Sequence, residues 1–292
     1  MSLAATTTRR ILVLHGFTQN ATIFSNRLGA LRKQAKDVEM VFLDAPIILD
    51  HADIPGDFYA IGGPPRSEDD PATIARAWWR WNPDVLKAIG LEDTLAYLRE
   101  RLRVDRFDGV MGFSQGAGLA ALLSALLERP EVYPPFLVDG KPPHPPFKFC
   151  IAVSGFKLLD PLAHEVFGSG YSTPTLHIIG KTDVIVTEER AKTLMDISFN
   201  KRVEEHEGGH FVPSKSNWRA FVAEYLRSGP NADIPSPSAI KAAGGDSVPS
   251  SALPSGRATP VVPAAVNQVQ KIANSGSNTI SDSKDSKLVA SL

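Results

Sequence analysis

FDGVMGFSQGAGLAALLSALLE, residues 107–128, places a serine between two glycines where a strand pattern gives way to a helix pattern. Val110-Met111-Gly112-Phe113 reads as a short buried strand. Gln115 onward is small and apolar, with Ala, Leu and Gly at helical spacing. No residues remain for a conventional loop. A chain that turns from strand to helix at one residue holds that residue in a strained conformation with its side chain at the apex. Small residues two before and two after let the two elements approach closely. Gly112-Phe113-Ser114-Gln115-Gly116 therefore matches the G-x-S-x-G nucleophile elbow. The competing reading makes Ser114 a helix cap, which serine does well. The flanking strand and helix favour the nucleophile.

The 292 residues suit one large domain or two small ones. A net charge of -1 and no basic block argue against a nucleic-acid or anionic-membrane partner. A single cysteine, Cys150, in the apolar run 147–153 excludes an internal disulfide and reads as a buried thiol. The start, MSLAATTTRR followed by ILVLHG, lacks the features of a secretory signal, and no stretch is long enough to span a membrane. The expected location is cytoplasmic, with the nucleus also open, and not secreted. Beyond Gly229-Pro230 there is no Phe, Tyr or Trp, and Ser, Ala, Pro and Gly dominate. Such a composition buries too little apolar surface to offset its ordering entropy, so the expected division is a folded domain over 8–229 and a disordered tail over 230–292.

Within 9–229, strand-like and helix-like runs alternate. Strands are expected at Arg10–Leu14, Val38–Leu43, 110–113, Phe149–Val153, Thr175–Ile179 and Lys201–Glu204. Helices are expected at Thr22–Lys33, Val85–Arg101, after Ser114, and around Ala191–Met195 and Trp218–Leu226. Strands apolar throughout, alternating with helices, imply an α/β fold with a mostly parallel central sheet covered on both faces. Reactive residues then belong on loops at the carboxyl ends of strands.

Two such ends carry suitable groups. Ile178-Ile179-Gly180-Lys181-Thr182-Asp183 ends a strand in a glycine and then an aspartate. Val203-Glu204-Glu205-His206-Glu207-Gly208-Gly209-His210 ends one in a glycine pair and then a histidine. The order Ser114, Asp183, His210 is that of the α/β-hydrolase fold. His206 is the rival base, and Asp160 the alternative acid. Asp183 also fits a turn or a helix cap, but Thr187 can cap the helix that follows. The first strand runs into His15-Gly16-Phe17-Thr18-Gln19. Oxyanion donors are expected from the backbone N–H of Gln115 and of Phe17, with His15 ordering the loop through its ring. The histidines and Cys150 lack metal-ligand spacing, so neither metal nor cofactor is expected.

Residues 45–84 are long for a connection between elements. They hold Phe58, Tyr59 and three of the four tryptophans, Trp78, Trp79 and Trp81, crowded into a stretch that reads as helical. These should form an aromatic-rich insert over the site, with at least one tryptophan lining a substrate pocket and the others in the core.

LHGFTQNATIFSNRLGALRK, the strand with Asp44-Ala45-Pro46, AWWRW, GFSQGAGLAALLSALL and EHEGGHFVP together resemble the FSH family of serine hydrolases over residues 8–228. That family has fungal members and includes the animal ovarian-tumour-associated serine hydrolase. The resemblance implies an α/β-hydrolase domain with nucleophile Ser114, acid Asp183 and base His210. It also implies a small-molecule ester or thioester as substrate. The alternative is a thioesterase that releases a polyketide or fatty acyl chain from an acyl carrier protein, as the resemblance to some fungal members, which release polyketide chains, implies. Outside that class stands a catalytically silent binding protein on the same fold.

Overall fold

The computed structural model describes residues 8–54 and 74–240. In chain order the elements are β1 (Arg9–Leu14), α1 (Ala21–Arg27), α2 (Gly29–Gln34), β2 (Val38–Leu43), β3 (Ile47–Ile48), β4 (Arg76–Ala77), β5 (Arg80–Asn82), β6 (Lys87–Ile89), α3 (Leu91–Val104), β7 (Gly109–Phe113), α4 (Gln115–Glu128), β8 (Phe149–Val153), α5 (Pro161–Phe167), β9 (Thr175–Gly180), α6 (Glu188–Met195), β10 (Lys201–His206) and α7 (Ser216–Ser228). Six strands pair in the order β10-β9-β8-β7-β1-β2, and every neighbouring pair is parallel.

Both faces of this sheet are buried, which is why β7 and β8 at its centre are apolar at every position. Leu12 and Leu14 of β1, Val110 of β7, and Cys150 and Ala152 of β8 face one core, packed under α3 and α4. Ile11 and Val13, Met111 and Phe113, and Ile151 and Val153 face the other, packed under α1, α2 and α7. The result is a three-layer α/β-hydrolase-like fold. The chain goes from β1 to β2 on one side and later resumes at β7 on the other. The β1/β7 junction is therefore the topological switch point, where open α/β sheets form their binding crevice.

Three expectations need correction. The helix expected over Val85–Arg101 begins only at Leu91. Val85 and Leu86 lie in a β5–β6 hairpin, Leu86 in a left-handed conformation (φ 49°), and Gly90 at φ 87° starts the helix. Leu86 and Ile89 fall near helical spacing with Leu95 and Leu98 but are exposed, whereas Leu91, Leu95, Leu98 and Leu102 form the buried stripe. The helix expected over Thr22–Lys33 is broken at Leu28 into α1 and α2. The tryptophan stretch is not helical: it forms β4, a link through Trp78-Trp79, and β5. Phe58 and Tyr59 lie outside the described residues.

The folded chain also runs past the expected boundary at 229. Ile234 is buried in the α7-side core, with Ala232 and Ile240 packed against it. Asn217 Nδ2 donates to the Pro237 carbonyl at 2.8 Å, and Ser236 Oγ to Glu204 at 2.8 Å. The remainder of the expected tail, 241–292, lies outside the described residues. Burying an isoleucine contributes about 2 kcal/mol, so a chain ending at 229 should melt several degrees below one ending at 240. Equal melting temperatures in paired calorimetric scans would show that 230–240 adds nothing to the domain.

Candidate active site

Strand β7 passes into α4 through one residue. Ser114 sits at φ 54°, ψ -118°, outside the regions that L-residues favour, a strain on the order of 1–3 kcal/mol held by its surroundings. A Cβ on Gly112 would strike the Gly116 carbonyl, and one on Gly116 would strike the carbonyls of Leu14 and His15. The two glycines thus let α4 lie against both β7 and the end of β1. Ser114 N donates to the Val153 carbonyl at 2.9 Å, and the Ser114 carbonyl accepts from Ala117 N and Gly118 N. Its backbone starts the helix, but its side chain makes no capping bond. The hydroxyl instead stands 3.0 Å from His210 Nε2.

His210 Nδ1 lies 2.8 Å from Asp183 Oδ2. An ionised carboxylate only accepts, so Nδ1 carries the proton and Nε2 is left to accept from Ser114. Asp183 is also a turn residue: its Oδ1 accepts from Ile185 N at 2.9 Å and Val186 N at 2.8 Å. One oxygen thus serves the turn and the other faces His210. Thr187 caps α6, accepting from Arg190 N. Burial by itself would raise the Asp183 pKa. The hydrogen bond and charge of His210, with the Val186 and Ile185 N–H groups, outweigh it and keep the carboxyl below its ordinary range. The two loops meet because Gly180 has no side chain; a Cβ there would meet the Gly208 and Gly209 carbonyls. Backbone bonds from Lys181 N to the His206 carbonyl and from Thr182 N to the Gly208 carbonyl lock them together.

The rivals are occupied elsewhere. His206 turns toward α7, with its ring against Phe211 and Trp218 and its Nδ1 accepting from Gly208 N at 3.2 Å. Asp160 caps α5 through Leu162 N and ties down the β5–β6 hairpin through Ala88 N. A cavity of about 490 Å³ opens beside β10 between His206, Phe211 and Trp218, but Ser114, Asp183 and His210 do not line it.

The loop after β1 packs directly on the elbow: a Cβ on Gly16 would stand 3.0 Å from the Phe113 ring and 3.4 Å from Ser114 Cβ. Gly16 N donates to Gln19 Oε1, Gln19 N to the Gly16 carbonyl and Thr18 N to the Arg76 carbonyl, which fixes the peptide at Phe17. Gln115 is the first residue of α4, so its N–H has no acceptor within the helix. His15 orders this loop through both ring nitrogens. Ala45 N donates to Nε2 at 3.0 Å, so Nδ1 carries the proton and donates to the Gly16 carbonyl at 2.8 Å.

Of the three tryptophans, Trp78 and Trp79 are core residues, 0% and 2% exposed. Trp81 on β5 is half-buried and paired across the hairpin with Ala88. Sequence reasoning missed the groups that join these parts. The Gln115 side chain accepts from Trp78 N and donates to the Trp79 carbonyl, and the Trp78 indole N–H donates to the His15 carbonyl. Contacts this distant along the chain leave no local signal. Among the described residues, no group of three His, Cys, Asp or Glu could hold a metal ion, and no helix is long and apolar enough to cross a membrane.

The model of the serine hydrolase (FSH1) family matches residues 1–222. The chain belongs to this family. It is similar to esterase OVCA2 of Danio rerio, 32% identical over 235 residues that cover 75% of this chain and 96% of the relative. The mouse esterase OVCA2 is likewise 32% identical over 235 residues, covering 77% and 98%. Similarity to a dihydrofolate reductase of Schizosaccharomyces pombe, 30% over 238 residues, covers 76% of this chain and only 47% of that protein. The solved structure of Zea mays acyl-protein thioesterase 2 matches with a TM-score of 0.49 and 19% identity, covering 77% of this chain and 95% of that one.

Two buried histidines, His15 and His177, should make this serine hydrolase sensitive to acid. Desolvation pushes the pKa of His15 down to about 4 and that of His177, inside β9, down to about 3. An unfolded histidine titrates near 6.5. Between these values the unfolded chain binds protons that the folded chain refuses, so stability falls as pH drops from 6.5 toward 4. His177 extends that loss toward 3. His15 alone accounts for about 3 kcal/mol of the decline. The melting temperature should fall steadily over this window, and His177→Gln should flatten the slope. A melting temperature constant from pH 6.5 to 4 would show that these rings are not buried neutral.

Proposed function

We propose that this chain hydrolyses carboxylic esters or thioesters through an acyl-enzyme on Ser114. The observation that carries the reading is the pair of contacts His210 Nε2–Ser114 Oγ, 3.0 Å, and His210 Nδ1–Asp183 Oδ2, 2.8 Å. Ser114 Oγ attacks the acyl carbon as His210 Nε2 takes its proton. Asp183 holds the ring in the required tautomer and favours the imidazolium. The carbonyl oxygen gains negative charge between the Gln115 and Phe17 N–H groups. His210 then gives its proton to the departing alcohol or thiol. Water enters, loses a proton to His210, and releases the acid as Ser114 recovers its hydrogen.

Kinetics of purified variants test the assignment. Ser114→Ala and His210→Ala should fold and lose about 10^4-fold or more in kcat, and Asp183→Asn about 10^3-fold to 10^4-fold. His206→Ala should keep most of its activity. Full activity in His210→Ala with loss in His206→Ala would reverse the choice of base.

The acyl group is expected to be medium or long and apolar. Trp81 is the tryptophan left with surface to offer, on a hairpin tied by Ala88 N to Asp160 in the loop after β8. Each further methylene buried in the transition state should contribute about 0.8 kcal/mol, roughly fourfold in kcat/KM. A series of p-nitrophenyl esters from two to twelve carbons should rise and then level. Trp81→Ala should move the plateau. Trp79→Ala, by contrast, should lower stability by about 3–5 kcal/mol. A flat series in the native enzyme would remove the apolar acyl site.

A further inference from the structure

Residues 74–79 form a strap that touches both sides of the elbow. On one side it holds the loop after β1. Asn20 Nδ2 donates to the Ile74 carbonyl, Arg76 N to the Gln19 carbonyl and Thr18 N to the Arg76 carbonyl, and the Trp78 indole N–H donates to the His15 carbonyl at 2.8 Å. On the other side the Gln115 side chain grips the same strap twice. Its Oε1 accepts from Trp78 N at 2.8 Å, and its Nε2 donates to the Trp79 carbonyl at 2.9 Å. Thr94 Oγ1 from α3 closes the set by donating to the Trp78 carbonyl. His15, Gln115, Trp78 and Trp79 are all almost fully buried. Water therefore does not compete for these bonds, and their geometry is held by packing as well as by polarity.

We propose that the Gln115 side chain is a positioning residue that sets the spacing of the two oxyanion donors by clamping them to this one strap. The inference rests on the acyl-transfer reading above. An oxyanion hole works only when both N–H groups aim at the place where charge develops, and that place is fixed by Ser114. Gln115 supplies one N–H from its backbone. Through its side chain it is bound to the segment that also holds the loop carrying the other, at Phe17. The side chain touches no reacting atom, and its effect reaches the reaction through Trp78 N and the Trp79 carbonyl of the strap.

The experiment compares native enzyme, Gln115→Met, Trp78→Phe and Leu226→Ala. Methionine matches glutamine in length but lacks both bonding groups. Trp78→Phe keeps an aromatic ring and loses the indole N–H. Leu226→Ala empties a buried site on the opposite face of the sheet and serves as the stability control. Each is measured for kcat, KM, melting temperature and inhibition by an alkyl trifluoromethyl ketone. Ser114 Oγ adds to the ketone carbon of this inhibitor, its proton stays on His210, and the ketone oxygen becomes the oxyanion. Gln115→Met should lose about 100-fold in kcat, with KM within threefold and inhibitor affinity falling by the same factor as kcat. Trp78→Phe should show the same pattern with a smaller loss. Leu226→Ala should melt lower while kcat and inhibitor affinity stay native. The proposal is overturned if Gln115→Met keeps kcat and inhibitor affinity within threefold of native, or if its loss lies in KM alone. Should Gln115→Met not fold, Gln115→Glu, which keeps the acceptor for Trp78 N and loses the donor to the Trp79 carbonyl, decides by the same criteria. Absence of Ser114-dependent turnover in the native enzyme would instead defeat the acyl-transfer reading, and this inference with it.

Discussion

The site depends on one close backbone contact: Gly116, in the first turn of α4, lies against the Leu14 and His15 carbonyls at the end of β1. No residue with a side chain fits there. The contact brings the helix that begins at Ser114 beside the loop that begins at His15, and parallel pairing of β1 with β7 puts both at the carboxyl ends of the strands. Gly112 provides the matching clearance within the elbow. With strand, helix and loop so close, Ser114 has little alternative to its left-handed conformation, and its hydroxyl faces away from the helix it starts.

The electrostatic arrangement follows from the same packing. Asp183 is almost fully buried, yet remains ionised because each of its oxygens has partners: two backbone N–H groups on one, His210 on the other. A buried carboxylate with one of those sides unmet would be driven toward its neutral form. His15, by contrast, is buried without a carboxylate on its ring and stays neutral, donating through one nitrogen and accepting through the other. Two histidines near the elbow thus have different work, decided by what stands opposite each ring nitrogen. Neutral His15 braces the loop, while His210 bridges Asp183 and the Ser114 hydroxyl.

Local pattern made much of this legible. The elbow, the apolar strands and the strand-end glycines are short-range features, and each corresponds to a backbone requirement seen in the structure. The glycine that ends the strand before Asp183, Gly180, marks a close approach, since a Cβ there would meet the Gly208 and Gly209 carbonyls. Errors arose where a periodic pattern was produced by different structures in succession. Leu86 and Ile89 share a spacing with Leu95 and Leu98, but a hairpin and a left-handed glycine separate them from the helix. Trp78, Trp79 and Trp81 looked helical because helical spacing is all that a crowded short segment offers. Instead Arg76-Ala77 pairs with Ile47-Ile48 and Trp81 with Ala88, and Trp78-Trp79 is the link between the two strands. Ile234 was hidden because composition averages over a segment, and one isoleucine in a Pro- and Ser-rich run changes the average little. The bonds from Gln115 to Trp78 and Trp79 join residues remote in sequence, so no window along the chain contains them.

Covalent capture of the acyl-enzyme is the most direct test of the account. The native protein would be treated with an alkyl fluorophosphonate, its intact mass measured, and its peptides mapped. The account predicts one adduct per chain, located on Ser114, and none in Ser114→Ala. An adduct on a different residue, or a native protein that stays unmodified while fully folded, would contradict it.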